Sequence, residues 1–279
     1  MGNSTGLERQ GSGAGVGRSA GSAIDVSSLG KTYATRGGSV EAVRNANFSV
    51  QEGEFVSLVG PSGCGKSTIL KIVAGLVPYE SGAVDVGGQA AAPGRQDVGI
   101  MFQSPVLFPW RTVLANVLLP IEIFDTDGRA GATRAEEVLK LVGLWEVQDK
   151  YPFELSGGMQ QRVSLARLLV SDPKYMLMDE PFAALDEFNR ERLNHELASI
   201  HEDFHRTVLY VTHNISEAVL MADRIVVLKS HPGEILDIVD VDLPRPRKPD
   251  VLDERQAQDR VAAISRLLRH SGGNEQGER

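Results

Sequence analysis

A single cysteine, Cys64, stands in 279 residues, so no disulfide can form within the chain, and the scarcity fits a reducing compartment. Long apolar runs are missing too. None approaches the roughly 18 residues that cross a bilayer as a helix, so the chain is expected neither to span a membrane nor to carry its own pore. Met1 to Ala23 holds no apolar stretch of the kind that marks a secretory signal, and none is expected there. Positive charge is in deficit: 29 Lys and Arg against 37 Asp and Glu leave a net charge of -8, which argues against a nucleic-acid-coating surface. No internal repeat is visible. What remains is a length able to bury one large core with an inserted subdomain.

Residues 1–22 are rich in Gly and Ser, with Gly11-Ser12-Gly13-Ala14-Gly15-Val16-Gly17 at their centre, and are expected to form a disordered tail. Those glycines fail as a dinucleotide fingerprint because no strand precedes them. From Ala23 to Ser57, short β-rich segments alternate with turns at Arg36-Gly37-Gly38 and Gln51-Glu52-Gly53-Glu54, predicting a small antiparallel layer. Phe55 to Val59 then read as a buried strand and Lys66 to Leu76 as a helix. Val98 to Phe102 is another apolar strand, after which helical periodicity runs from about Val113 to Val170, broken by Gly143. Tyr175 to Met178, Val208 to Val211 and Ile225 to Leu228 are short apolar strands separated by helices at Leu185 to Ile200 and Ser216 to Ala222. Strands alternating with helices predict a largely parallel sheet. Pro244 to Pro249 reads as an extended linker, and Val261, Ile264 and Leu268 mark a terminal amphipathic helix.

The chemistry concentrates in a few places. Gly60-Pro61-Ser62-Gly63-Cys64-Gly65-Lys66-Ser67, followed by Thr68, fits the phosphate-loop pattern G-x-x-x-x-G-K-[ST] and lies between a predicted strand and a predicted helix, as that pattern requires. Its glycines let successive backbone N–H groups curl around phosphates at a helix N-terminus. Lys66 is expected to reach the β- and γ-phosphates of ATP, and Ser67 to offer its hydroxyl to Mg²⁺. Met178-Asp179-Glu180 closes an apolar strand with two carboxylates that strand alternation should aim apart. Asp179 is expected to stabilise Mg²⁺, mostly through its water shell, and Glu180 to act as general base on the attacking water. Gln103 and His213 end two further strands, at the sheet edge where open α/β folds bind ligands. Gln103 can meet Mg²⁺ or the water, and His213 the γ-phosphate. Leu155-Ser156-Gly157-Gly158-Met159-Gln160-Gln161-Arg162 opens a helix whose bare N–H groups would suit an anion, the alternative being a plain capped start.

With these motifs in this order, the chain resembles an ATP-binding subunit of an ABC importer from about Ala23 to Leu243. The resemblance implies an α/β P-loop NTPase fold: an ABC ATPase core at 23–243, an antiparallel β layer, and a helical subdomain inserted at about 104–172. A linker and amphipathic helix would follow at 244–279. It implies catalysis by Glu180, His213, Gln103 and Lys66, metal held by Ser67, Gln103 and Asp179, and Tyr33 stacked on adenine, unless Tyr33 is simply a packed strand residue. It further implies a homodimer that sandwiches two ATPs, each site completed by the partner's Ser156-Gly157-Gly158 and touched by Asp186; Asp186 alone would equally cap a helix. Integral-membrane permease subunits, and indirectly an extracytoplasmic solute-binding protein, are the implied partners, with the chain peripheral at the cytoplasmic face. Phe108-Pro109-Trp110-Arg111-Thr112-Val113 and Leu243-Pro244-Arg245-Pro246-Arg247 resemble importers of nitrate, sulfonates, taurine and related small solutes. Asn214 and Ser216 depart from the acidic residues common after the switch histidine. The chain also ends before the regulatory domain that sugar importers often append. His201-Glu202-Asp203-Phe204-His205 fits the zinc pattern H-E-x-x-H, but Leu193, Leu197 and Ile200 occupy the helix's apolar face before it, the strand of Thr207 begins two residues after it and no convincing third ligand follows, so a solvated helix end is expected.

Overall fold

The computed structural model describes residues 21–124, 128–183, 185–230, 232–247 and 249–272. The tail expected at 1–22 falls outside them except for its last two residues, as does Ala184 just ahead of Asp186. The chain begins with a long hairpin, β1 (Ser22–Thr35) and β2 (Gly38–Gln51), which turns at Arg36 and Gly37. Next come β3 (Phe55–Val59), α1 (Lys66–Val73), β4 (Ser81–Val86), β5 (Gln89–Ala90) and β6 (Val98–Met101). The helical part holds α2 (Val113–Ile123), α3 (Gly128–Leu141) and α4 (Gly157–Val170), and β7 (Tyr175–Asp179), α5 (Glu187–Phe204), β8 (Thr207–Thr212) and α6 (Ile215–Met221) follow. The chain closes with β9 (Arg224–Lys229), β10 (Glu234–Asp240) and α7 (Arg255–Gly272).

Two sheets result. The first is antiparallel in the order β2-β1-β4-β5, and the second runs β10-β9-β3-β8-β7-β6, parallel except for β10 against β9. Parallel strands covered on both faces are apolar throughout, and all five residues of β3 and of β7 are buried. Their side chains alternate between two cores. Phe55 and Val59, Met176 and Met178, Val208 and Tyr210 join the core shared with α2 to α7. Val56 and Leu58, Tyr175 and Leu177, Leu209 and Val211 join the core under α1 and the antiparallel sheet. Every parallel strand therefore has its carboxyl end at one edge, and Gly60, Gln103, Glu180 and His213 all lie at or just past that edge.

Three expectations need correcting. The antiparallel layer is larger than short segments suggested, because β1 and β2 each run for 14 residues and β4 and β5 extend the same sheet. β10 was not anticipated: its burial is only partial, so its pattern lacks the apolar run of the other strands. The stretch from Pro244 is not a spacer. Arg247 is buried, donating to the carbonyls of Val219, Leu220 and Ala222 at the end of α6 and to those of Val241 and Leu243. Arg245 likewise donates to Met221 O at 2.7 Å and pairs with Asp223. The two arginines fasten α6, and α7 then adds Ala257 and Ile264 to the main core.

Candidate functional site

The turn after β3 is shaped by close approaches. A side chain at Gly60 would lie 2.5 Å from the Leu228 carbonyl oxygen, and one at Gly65 would lie 2.6 Å from that of Ala42. Gly65 also takes the left-handed φ of 88° that ordinary residues disfavour. It precedes α1, whose start carries no side-chain cap, so the first-turn N–H groups remain available to a phosphate. Ser62, Gly63, Cys64, Gly65, Lys66, Ser67 and Thr68 line a cavity of about 320 Å³ with Ala42, Gln103 and Glu180. Lys66 folds back into the loop, its ammonium donating to Gly60 O at 2.8 Å and Pro61 O at 2.9 Å. The Cys64 side chain is fully buried, and burial pushes its thiol up from the ordinary range. Cys64 therefore supports the loop from within.

Asp179 and Glu180 do diverge, and the reason is sharper than strand alternation. β7 ends at Asp179, whose Oδ1 accepts from the Ser67 hydroxyl at 2.6 Å, while Lys71 Nζ lies 4.0 Å from Oδ2. Glu180 then adopts a left-handed φ of 43°, unusual for a side chain of its size. The turn brings its Oε2 to 3.4 Å from Gln103 Nε2 and 3.1 Å from His213 Nδ1. Residues from β3, β6, β7 and β8 thus meet at one place. Gln103 is held in turn by α4, where Gln161 donates to its carbonyl at 2.7 Å.

Tyr33, Ser156, Gly157, Gly158 and Asp186 lie elsewhere. Tyr33 stands on β1 opposite Val40, 38% exposed, with the Lys31 ammonium 5.0 Å from its ring centre, and is not part of the loop cavity's lining. Ser156 through Met159, Arg162, Leu185, Asp186 and Asn189 line a second cavity that shares no residue with the first. The helix start there is less bare than expected, because the Ser156 hydroxyl accepts from Met159 N–H at 3.3 Å and caps α4. Asp186 caps α5 in the same way, accepting from Asn189 N–H at 3.0 Å and from its amide at 2.7 Å, bonds that hold the carboxyl below its usual range.

Sequence reasoning missed Gln161 and Glu217. Both are buried polar residues, on α4 and α6. The signal for Gln161 is a polar residue on the buried face of a helix; Glu217 falls one helical turn after His213. The H-E-x-x-H segment also differs from a solvated helix end. His201 is buried edge-on against Phe55, ring centres 5.2 Å apart, and burial lowers its pKa to about 4. Glu202 pairs with Arg245, and His205 ends α5 with a left-handed φ of 46°.

A strand, a phosphate loop with its helix, and a carboxylate pair at the end of β7, separated from β3 by β8 alone, define a nucleotide-binding P-loop ATPase. The chain belongs to the ABC transporter family, whose profile matches residues 43–183. It is 46% identical over 225 residues to the uncharacterized ABC transporter ATP-binding protein MJ0412 of Methanocaldococcus jannaschii, covering 80% of this chain and 84% of that one. It is 41% identical to the nitrate import ATP-binding protein NrtD of Synechococcus elongatus, covering 86% of this chain and 90% of the other. Against the bicarbonate transport ATP-binding protein CmpC of the same species identity is 43% over 81% of this chain, which spans only 34% of that longer protein. Among solved structures, the ATP-binding cassette MJ0796, described as a dimeric post-hydrolysis state bound to ADP and Pi, superposes with a TM-score of 0.71 at 34% identity. It covers 79% of this chain and 100% of that chain.

Proposed function

We propose that this chain is the ATP-hydrolysing subunit of an importer for nitrate, a sulfonate, taurine or a related small solute. The observation that carries the hydrolytic part of this reading is the convergence of Lys66, Ser67, Asp179, Gln103, Glu180 and His213 at one sheet edge, with Asp179 on the Ser67 hydroxyl and His213 on Glu180; the importer and its solute class are supported by the likeness to the nitrate import protein. The loop's N–H groups bind the phosphates, and Lys66 exchanges its two carbonyl partners for the β- and γ-phosphates of ATP. Glu180 orients the attacking water and takes its proton, and His213 donates to the γ-phosphate. The donor set fits magnesium, since the Ser67 hydroxyl, the Asp179 carboxylate and the Gln103 amide are hard oxygen ligands. Ser67, Gln103 and Asp179 would hold the ion, which when bound neutralises phosphate charge. Tyr33, half-exposed on its hairpin, is assigned to adenine.

Two separate cavities in one chain favour a homodimer in which Ser156, Gly157, Gly158 and Asp186 of one copy close over the loop of the other. Partners in the membrane are supported by the aromatic surface after Gln103. Trp110 is 71% exposed beside Phe108, ring centres 5.1 Å apart, whereas Arg111 is tied back to Glu122. None of the helices among the described residues is long and apolar enough to cross a bilayer. An exposed tryptophan suits a permease helix at the cytoplasmic face; the permease in turn meets an extracytoplasmic solute-binding protein.

Reconstitution with the permease in vesicles tests this reading. Trp110→Ala should cost about 2 kcal/mol or more of association and reduce solute uptake, because an aromatic anchor is lost. ATPase of the isolated subunit should stay near its wild-type rate. Loss of basal ATPase or of the fold would instead make Trp110 part of the packing and sink the membrane assignment.

A further inference from the structure

We propose that Glu217 is a positioning residue that fixes His213 through Thr212 and Asn214, an inference that rests on the γ-phosphate role given to His213 above. Glu217 sits in the first turn of α6 with only 7% of its surface exposed. Burying a carboxyl group is unfavourable unless hydrogen bonds replace the water it loses, and here two do. The Tyr210 hydroxyl donates to Oε1 at 2.9 Å, and the Thr212 hydroxyl donates to Oε2. Thr212 Oγ1 then accepts from the Asn214 N–H at 3.0 Å, and Asn214 Oδ1 accepts from the Glu217 N–H at 3.2 Å. The bonds form a closed ring from Glu217 to Thr212, to Asn214 and back to Glu217. His213 is the residue this ring straddles.

The ring has a direct consequence for the imidazole. Thr212 ends β8 and Asn214 caps α6, so both neighbours of His213 are locked while its own side chain remains 53% exposed and meets Glu180 at 3.1 Å. The far end of α6 is held as firmly, by Arg247 on its last carbonyls. Tyr210 keeps its proton, since burial and then the neighbouring Glu217 push its phenol well above the ordinary range, so the direction of that bond is set. A cap for α6 does not need the Glu217 carboxyl, because Asn214 supplies one. A buried carboxyl is also a poor way to gain stability where an apolar residue would pack. What it adds is a defined direction for the turn that carries His213.

Steady-state ATPase of Glu217→Gln, Thr212→Val, Thr212→Ser and His213→Ala tests the assignment. Glu217→Gln leaves one acceptor for two donors, and Thr212→Val removes the hydroxyl while keeping the shape. Each should lower kcat by about tenfold to a hundredfold, the loss expected when a group is displaced by about an ångström, with KM for MgATP within about twofold of wild type. Thr212→Ser, which restores the hydroxyl without the methyl group, should keep kcat within about twofold of wild type. The inference is overturned if Glu217→Gln and Thr212→Val keep full kcat, if KM rises in step with the loss, or if serine at 212 does no better than valine. Should Glu217→Gln fail to fold by circular dichroism, the two Thr212 variants decide alone. Wild-type turnover in His213→Ala would remove the role of His213 itself, whereas loss there with none in the Glu217 and Thr212 variants removes only the inference drawn from them.

Discussion

α1 and α4 both begin next to glycines, yet their first turns are finished differently. α1 follows Gly65, which is in a left-handed conformation, with no side chain closing its N–H groups. At α4 the Ser156 hydroxyl takes the Met159 N–H. Open N–H groups at a helix start carry partial positive charge and draw an anion, so the uncapped start of α1 suits the phosphate proposed for it. Its surroundings are equally set: Lys66 rests on two loop carbonyls and Ser67 on Asp179. The α4 end is complete enough to stand alone, and to serve a nucleotide it must redirect the Ser156 hydroxyl or offer only its remaining amides. In the proposed dimer, then, the α1 half is open as it stands, whereas the α4 half is capped until a partner's nucleotide reaches it.

The largest effect that sharpens this contrast is expected at Glu180. Glu180→Gln should leave nucleotide binding intact, because the loop and Lys66 are untouched, and should lower turnover by about 10²- to 10⁴-fold, as removal of a general base does. With hydrolysis stalled, the two halves should stay joined, and light scattering should show a dimer in MgATP. Near-normal steady-state ATPase would take the base assignment away from Glu180.

A mixing experiment sets out to break the contrast. Lys66→Ala disables the α1 half and Ser156→Arg the α4 half, so each protein alone should be close to inactive. If the halves meet across a two-fold interface, a mixed dimer contains one site with both halves intact. An equimolar mixture should then regain about a quarter of wild-type ATPase, since about half the dimers are mixed and each has one good site of two. No recovery on mixing would place both halves in the same chain and end the sandwich reading.

The α1 half was legible in the sequence because its signals are local. Gly60 to Ser67 fits a spaced pattern between an apolar strand and a helix, and Asp179 and Glu180 end a strand of buried residues. The left-handed turn at Glu180 was not legible, since nothing in the residue type asks for it. At Ser156 and Asp186 the sequence leaves two readings open, a helix cap or a contact to a ligand, because both residue types serve as caps, and within the single chain both do cap their helices. Arg245 and Arg247 lie in a proline-rich run that reads as a spacer, although their partners are carbonyls at the end of α6 that no local pattern reveals. Glu217 is not legible either, because an isolated glutamate reads as surface and only the fold sets Tyr210 and Thr212 against it.

The smallest effect separates the two duties of Ser156. As the cap of α4 it satisfies the Met159 N–H, and replacing such a serine by alanine costs about 1 kcal/mol of stability. Ser156→Ala should therefore lower the urea midpoint of the nucleotide-free protein modestly while leaving the slope of the transition unchanged. If the hydroxyl also serves a nucleotide held by the partner, ATPase should fall by more than this loss of stability explains, at a temperature where the variant is fully folded. Ser156→Asn gives the decisive comparison, because asparagine caps a helix start as well as serine does but carries no hydroxyl. Recovered stability with depressed ATPase would assign the hydroxyl to the ligand. Recovery of both would leave Ser156 as a cap alone, and the difference between α1 and α4 would then be one of folding rather than of function.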